Sequence, residues 1–156
     1  MKDTPAFETI KIAFTDYLVK NQLRKTPERF AILEHINSIE GHFTAEMLYD
    51  IMQNKFRVSL ASVYNNLDLL LKTGLIIRHQ FGSHPAEYER TFRNNPHYHL
   101  VCSNCGKIKE YTDKNLKITL ESKKFSSFAP TYISLYYYGY CNKCKNMKIA
   151  KSELNQ

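Results

Sequence analysis

The chain lacks tryptophan, has only five glycines and five prolines, and contains no long run of apolar residues. Because a membrane-spanning helix needs roughly 18 consecutive apolar residues, we expect no membrane partner. Residues 1–8 lack the apolar segment of a secretory signal, so we expect a cytoplasmic protein. Apolar residues still make up 43% of the 156 residues, which is enough for a packed core and excludes wholesale disorder.

Acidic residues are fewer than basic ones: the chain has 15 Asp and Glu and 22 Lys and Arg. Its formal charge is +7 and its pI is near 9.2. This charge indicates a polyanionic partner such as nucleic acid, although a solvated basic face gives the same excess. The four cysteines form two pairs, and in a reducing cytosol such pairs indicate metal binding more often than disulfides.

Residues 1–75 show apolar residues at helical spacing, first at Phe7, Ile10 and Phe14. This pattern predicts four helices. The second, third and fourth follow residues that can cap a helix start, and the fourth ends before a glycine; these residues are Thr26 (with Pro27), Thr44, Ser59 and Gly74.

The period then changes to that of strands. Residues 75–81 and 86–91 predict a hairpin around the turn at 82–85. Helix, short turn, helix and hairpin in this order indicate a winged helix-turn-helix, whereas a helical core followed by an unrelated hairpin is the alternative.

The second half begins after a break at Asn94-Asn95-Pro96. Two strands are predicted around a Cys-rich turn, then a helix and a third strand, at 99–101, 108–111, 113–124 and 131–138. The prediction is an α+β protein, with a winged helix-turn-helix domain at 1–92 and a small α/β domain at 93–156.

The two cysteine pairs have the spacing of a structural zinc site. Cys102 and Cys105 form one C-x-x-C knuckle, and Cys141 and Cys144 form the other. Two intervening residues let one turn present both sulfurs to one ion, and four thiolates complete a tetrahedron. Redox-active pairs and unliganded thiols are the alternatives, but a thioredoxin-like pair opens a helix after a strand, which neither pair is predicted to do.

Histidines and carboxylates suggest another metal site. His97 and His99 point to one face of a strand, and Glu110 lies on the strand predicted to pair with it. His42 and Glu89 are further candidates. Imidazole and carboxylate ligands suit Fe²⁺, Mn²⁺ or Zn²⁺ in a labile site, although an H-x-H pair on a half-exposed strand is often incidental.

Assembled in order, these motifs resemble the ferric uptake regulator (Fur) family. The resemblance runs from about Asp16 to Cys144 and rests on TPERFAIL (26–33), HFTAEMLY (42–49), SLASVYNNL (59–67), HYHLVCSNCGKIKEY (97–111) and SLYYYGYCNKC (134–144). It implies a homodimeric, metal-dependent transcriptional repressor and not an enzyme. An N-terminal winged-helix domain would bind DNA, and a C-terminal α/β domain would dimerise.

The resemblance implies two metal sites. The four cysteines match the structural zinc site, and a hinge site that senses Fe²⁺ or Mn²⁺, with Zn²⁺ as a substitute in vitro, matches His42, Glu89, His97, His99 and Glu110. A metal that needs ligands from both halves favours the closed arrangement.

A further site of many family members would fall on Pro96, Tyr98, Lys117 and Ile133, which are unsuited to that role, so we predict its absence. In lacking this site, and in its HYH string and Asn65-Asn66 pair, the chain resembles the peroxide-sensing branch of the family. Glu89, where that branch usually has Asp, favours iron sensing instead.

The helix at about 60–73 matches the family's recognition helix. Tyr64 can stack on a thymine methyl group, and Asn65 can pair with an adenine edge or a phosphate. A two-fold dimer implies a pseudo-palindromic, A·T-rich operator. Base and phosphate contacts are expected from Ser59, Ser62, Tyr64, Asn65, Arg24, Arg57, Lys25 and Arg29.

Two other classes of protein are weighed against the repressor. A small zinc enzyme such as a deaminase would keep one coordination position open, which four cysteines close. A zinc-ribbon interaction module with no DNA role is the other alternative.

Overall fold

A computed structural model of the protein describes residues 5–82, 84–92, 97–130 and 132–146; the side chains of Pro5, Ala6, Lys117 and Glu121 lie outside that description. Within it, the chain forms two compact units. The first holds 5–80 and 85–92, and the second holds residues 81–84 and those from 97 onward. The predicted break at Asn94-Asn95-Pro96 lies outside the described residues.

The first unit begins with four helices, as predicted. The side chain of Thr44 accepts a hydrogen bond from Met47 N, and that of Ser59 accepts one from Ser62 N, so both caps are confirmed. Gly74 follows the last helix with φ +70°, a conformation that favours glycine. The helices are α1 (Pro5–Lys20), α2 (Pro27–Ser38), α3 (Ala45–Gln53) and α4 (Leu60–Lys72).

The core of this unit lies between the four helices and the hairpin. Its fully buried side chains include Phe14 of α1, Leu33 of α2, Leu48 of α3 and Leu67 of α4. Fully burying one such side chain contributes about 1.5–3 kcal/mol, so this cluster dominates the stability of the unit.

The hairpin is formed by β1 (Ile76–His79) and β2 (Glu87–Arg90), which pair antiparallel. The loop before α3 adds a third short segment, because Phe43 N and Tyr88 O lie 3.0 Å apart, and Tyr88 N and Phe43 O lie 2.8 Å apart. Both side chains are buried and stack on each other. This bridge fixes the position of the residues on either side of Phe43.

The second unit contains a three-stranded sheet and the helix α5, and residues 142–146 are also helical. The central strand β3 pairs antiparallel with β4 and parallel with β5, so both cysteine pairs come to the same end of the sheet. Asp113 caps the helix by accepting from two backbone N–H groups. The elements are β3 (Tyr98–Cys102), β4 (Ile108–Tyr111), α5 (Lys114–Glu121) and β5 (Tyr136–Gly139).

The structure corrects two sequence predictions. Thr26 occupies the N-cap of α2 with Pro27 after it, but its side chain makes no capping hydrogen bond. The third strand starts at Tyr136 instead of residue 131, and its pairing with β3 runs from His99–Tyr136 to Cys102–Gly139.

Among the described residues, no helix has the length and apolar character that a bilayer span requires.

Candidate metal centres and nucleic-acid interface

Four cysteine sulfurs converge in the second unit. The Sγ atoms of Cys102, Cys105, Cys141 and Cys144 all lie within 4.8 Å of one another. Those of Cys105 and Cys141 are 3.8 Å apart, too far for a disulfide. Zinc–sulfur bonds of about 2.3 Å in a tetrahedron place neighbouring sulfurs about 3.8 Å apart. The donor set and its geometry therefore fit a zinc ion.

Hydrogen bonds from nearby N–H groups support this cluster. Cys141 N donates to Cys102 Sγ at 3.4 Å, and the Asn104 amide donates to Cys144 Sγ at 3.3 Å. Backbone N–H groups of Cys105 and Cys141 hold the pKa of the Cys102 thiol down at about 6. The Asn104 amide lowers the pKa of the Cys144 thiol, but burial and the neighbouring sulfurs outweigh it and raise that pKa to about 11.

Two imidazole nitrogens lie close to one carboxylate oxygen in the first unit. Glu89 Oε2 lies 3.4 Å from His42 Nε2 and 2.9 Å from His79 Nε2. Glu89 and His79 are almost fully buried, and the side chain of His42 is 10% exposed. Sequence reasoning found His42 and Glu89 but missed His79. Two imidazoles and a carboxylate in this arrangement can hold a divalent metal.

The strand register explains this cluster. Phe43 lies opposite Tyr88, so His42 comes next to Glu89 on the same face. His79 pairs with Glu87 on β2, and residues two apart on a strand share a face, so the His79 ring reaches Glu89 diagonally. The signal available in the sequence was the ten-residue separation of His79 and Glu89 across a short hairpin.

The second unit carries the other predicted imidazoles. The rings of His97 and His99 are 4.8 Å apart, and a donor nitrogen of each lies within 4.8 Å of the other. His99 is 1% exposed and stacks on Tyr136, which fixes its ring. Glu110 lies directly opposite His99 on β4, as predicted, and is exposed. His97 and His99 together offer two imidazole donors to a metal.

Two of the four positions of the further metal site, Tyr98 and Ile133, have described side chains. Tyr98 packs between Tyr111 and Tyr137, with ring centres 5.3 and 5.2 Å away. Ile133 is 50% exposed and has an aliphatic side chain. Pro96 and the Lys117 side chain lie outside the described residues.

The start of α4 presents polar groups to solvent. Tyr64 and Asn65 are exposed on the helix, whereas Asn66 is buried and donates to Ser62 O at 2.8 Å. The Tyr64 hydroxyl donates to Glu46 Oε1 of α3 at 2.7 Å, a contact that sequence reasoning missed. This hydrogen bond lowers the pKa of Glu46, so its carboxylate stays charged at neutral pH.

The predicted phosphate-binding residues differ in exposure. Arg24, Lys25 and Arg57 are exposed, whereas Arg29 is partly buried and its guanidinium donates to the backbone oxygen of Arg24. Ser59 is exposed but its hydroxyl accepts the capping bond of α4, so part of its hydrogen-bonding capacity is used.

Comparisons with known proteins agree with this architecture. Residues 20–138 match the ferric uptake regulator family. The peroxide operon regulator of Bacillus subtilis is 32% identical over 141 residues, which cover 89% of this chain and 90% of that protein.

Two solved structures extend the comparison. The ferric uptake regulator of Helicobacter pylori, described with three functional metal-binding sites, aligns with a TM-score of 0.69 over 93% of this chain and 97% of that one; at 22% identity this likeness concerns the fold. The ferric uptake regulator of Pseudomonas aeruginosa, solved with manganese, aligns with a TM-score of 0.66 at 29% identity over 82% of this chain and 97% of that one.

Proposed function

The chain belongs to the ferric uptake regulator family of metal-dependent transcriptional repressors, and we propose that it represses its target genes when a divalent metal, iron in the first place, occupies a regulatory site. The observation that carries this proposal is the presence of metal-binding donors in each unit: His42 with Glu89 in one, and His97 with His99 in the other.

The four cysteines hold structural zinc in this proposal. Their ligand atoms fit a tetrahedral ion, and every position of the tetrahedron is taken by a thiolate, which leaves none for a substrate. The ion ties the end of β5 and residues 141–144 to the turn between β3 and β4. Its role is to stabilise the second unit and not to react.

The regulatory metal takes ligands from both units. We assign His42 and Glu89 from the first, and His97, His99 and Glu110 from the second. A metal that needs both sets binds one arrangement of the units more tightly, so it shifts the population toward the arrangement that binds DNA. Imidazole and carboxylate donors suit Fe²⁺ and Mn²⁺, and Zn²⁺ substitutes in vitro.

Peroxide sensing through the same Fe²⁺ or Mn²⁺ site is the second candidate function. It is favoured by the likeness to the peroxide operon regulator of Bacillus subtilis and by the two unsuitable positions of the further metal site, Tyr98 and Ile133. Glu89, where the peroxide-sensing branch usually has Asp, favours iron sensing, and we retain it as the first proposal.

We assign the DNA contacts to a winged-helix domain at residues 1–92 and dimerisation to residues 93–156. Tyr64 and Asn65 are exposed at the start of α4, where a recognition helix meets base edges, and Ser59, Ser62, Arg24 and Arg57 contribute phosphate contacts. The operator in this proposal is a pseudo-palindromic, A·T-rich duplex. The protein would bind it in the cytoplasm.

Support for a homodimer comes from exposed apolar side chains in the second unit. A second copy of the chain would cover exposed apolar side chains of this kind. They include Ile118, Phe125, Phe128, Tyr132, Ile133, Tyr137 and Tyr138.

The proposal is tested by anaerobic operator binding of the zinc-loaded protein with and without Fe²⁺ or Mn²⁺. We expect tight dimeric binding only with the added metal. The iron form is then treated with peroxide and examined by mass spectrometry. Oxidation of His42 or His97 with loss of binding identifies the peroxide sensor, whereas binding without any added metal would overturn both readings.

A further inference from the structure

His79 gives the first unit a third metal-binding donor. Its Nε2 atom lies 2.9 Å from Glu89 Oε2, and the His42 and His79 rings are 5.1 Å apart and nearly perpendicular. We propose that His79 is a ligand, so that His42, His79 and Glu89 bind a divalent metal within the first unit, without donors from the second. This inference rests on the proposed regulatory role of His42 and Glu89.

The distances match those between neighbouring ligands of one ion. Metal bonds of about 2.1 Å to imidazole nitrogen and carboxylate oxygen place neighbouring donors about 3.0 Å apart in an octahedron and about 3.4 Å apart in a tetrahedron. The observed separations from Glu89 Oε2 are 2.9 Å to His79 Nε2 and 3.4 Å to His42 Nε2. Both imidazoles thus present Nε2 to the same carboxylate oxygen.

The side chains of His79 and Glu89 are both deeply buried. His79 is 1% exposed and Glu89 is 2% exposed, so the carboxylate has lost most of its hydration. A buried carboxylate requires partners that compensate its charge. A divalent ion held by two imidazoles and this carboxylate compensates it fully and leaves further coordination positions open.

Metal capture then has two steps. The three donors of the first unit bind the ion weakly, and His97 and His99 of the second unit complete its coordination. Only the second step couples metal to DNA affinity. The inference thereby separates metal binding, which needs His79, from metal sensing, which needs both units.

The test uses the full-length protein with its structural zinc retained. Co²⁺ is titrated anaerobically into the wild type and into the His97→Ala/His99→Ala variant, and binding is followed by the visible absorption of the ion. His79→Gln is added to the variant, because a glutamine amide still donates a hydrogen bond to Glu89 but is a poor ligand. His35→Gln, a partly buried histidine of α2, is the matched control.

We expect the His97→Ala/His99→Ala variant to retain one Co²⁺ site per chain, at reduced affinity, and His79→Gln to weaken that site by more than roughly 100-fold, beyond the 10- to 100-fold effect of outer-shell changes. The His35→Gln control should leave the affinity of this Co²⁺ site unchanged.

Retained Co²⁺ binding in the triple variant would show that His79 only positions Glu89. Complete loss of Co²⁺ binding in the double variant would show that the first unit holds no metal alone. Either result overturns this inference and leaves the proposed function intact, whereas a wild type that binds only zinc at the cysteines overturns the proposed function.

Discussion

The Tyr64 hydroxyl donates a 2.7 Å hydrogen bond to Oε1 of Glu46, which ties the exposed ring on α4 to the first turn of α3. The bond lowers the pKa of Glu46 and raises that of Tyr64, so at neutral pH the pair is a carboxylate and a neutral phenol. Because the partner carboxylate is charged, the surface that we propose to face DNA contains a negative group beside Tyr64. Glu46 should favour DNA binding by orienting the Tyr64 ring, and should oppose it through the repulsion between its charge and the phosphates.

The first prediction separates these two effects. Glu46→Gln keeps a hydrogen-bond acceptor for Tyr64 but removes the charge, so operator binding should become several-fold tighter at low salt. Tyr64→Phe should retain sequence preference, since the ring can still contact a thymine methyl group. Tyr64→Ala should lose about 1–3 kcal/mol of discrimination at one base pair. Fluorescence anisotropy with matched and mutated operators measures all three. Equal sequence preference in Tyr64→Ala and the wild type would remove Tyr64 from base recognition.

The second prediction concerns zinc. Cys141→Ser removes one thiolate from the tetrahedron, and structural zinc supplies binding free energy on the order of 10 kcal/mol that stabilises the fold. The variant should lose zinc and fail to fold stably or to dimerise, as followed by metal analysis, thermal melting and sedimentation. Ser103→Ala, an exposed neighbour of the site, is the control and should retain zinc. A zinc-free Cys141→Ser dimer with an unchanged melting temperature would contradict the structural role.

The third prediction is that DNA binding depends strongly on salt. Each phosphate neutralised by a basic side chain releases counterions, with a slope of about −0.9 in the log–log plot of affinity against salt. Arg24→Gln and Arg57→Gln, both at exposed positions, should each reduce the magnitude of the slope by roughly that amount per half-site. A flat salt dependence of the wild type, or tight binding of half-sites by a monomer, would count against the winged-helix assignment.

The sequence predicted the helices and the cysteine site well because their signals are local. Caps such as Thr44 and Ser59 lie three residues from the groups they bond, and each C-x-x-C pair lies within one turn. The bridge between Phe43 and Tyr88 spans 45 positions, and the approach of His79 to Glu89 depends on the register of the hairpin. Periodicity does not encode such pairings, so His79 and Glu46 were missed.

The fourth prediction distinguishes the two branches of the family. Glu89→Asp would shorten a side chain that we propose as a ligand, and so would change how iron held there is placed relative to the neighbouring imidazoles. If the wild type is an iron sensor, its iron form should stay on the operator under mild peroxide, and Glu89→Asp should release more readily. Mass spectrometry of His42 and His97 provides the second readout. Oxidation and release of the wild type itself at low peroxide would assign the peroxide-sensing function.

The most direct test of the regulatory site is operator binding by His97→Ala and His99→Ala as Fe²⁺ or Mn²⁺ is titrated anaerobically. Moving a two-state equilibrium from mostly open to mostly closed requires about 5.5 kcal/mol of differential binding. In our proposal, the His97 and His99 imidazoles provide part of that binding free energy. The wild type should gain roughly 10- to 100-fold in operator affinity with metal, within the usual range of allosteric coupling. The variants should keep zinc, remain dimeric and lose that gain. A variant that still requires metal and reaches wild-type affinity would contradict the assignment of the regulatory site.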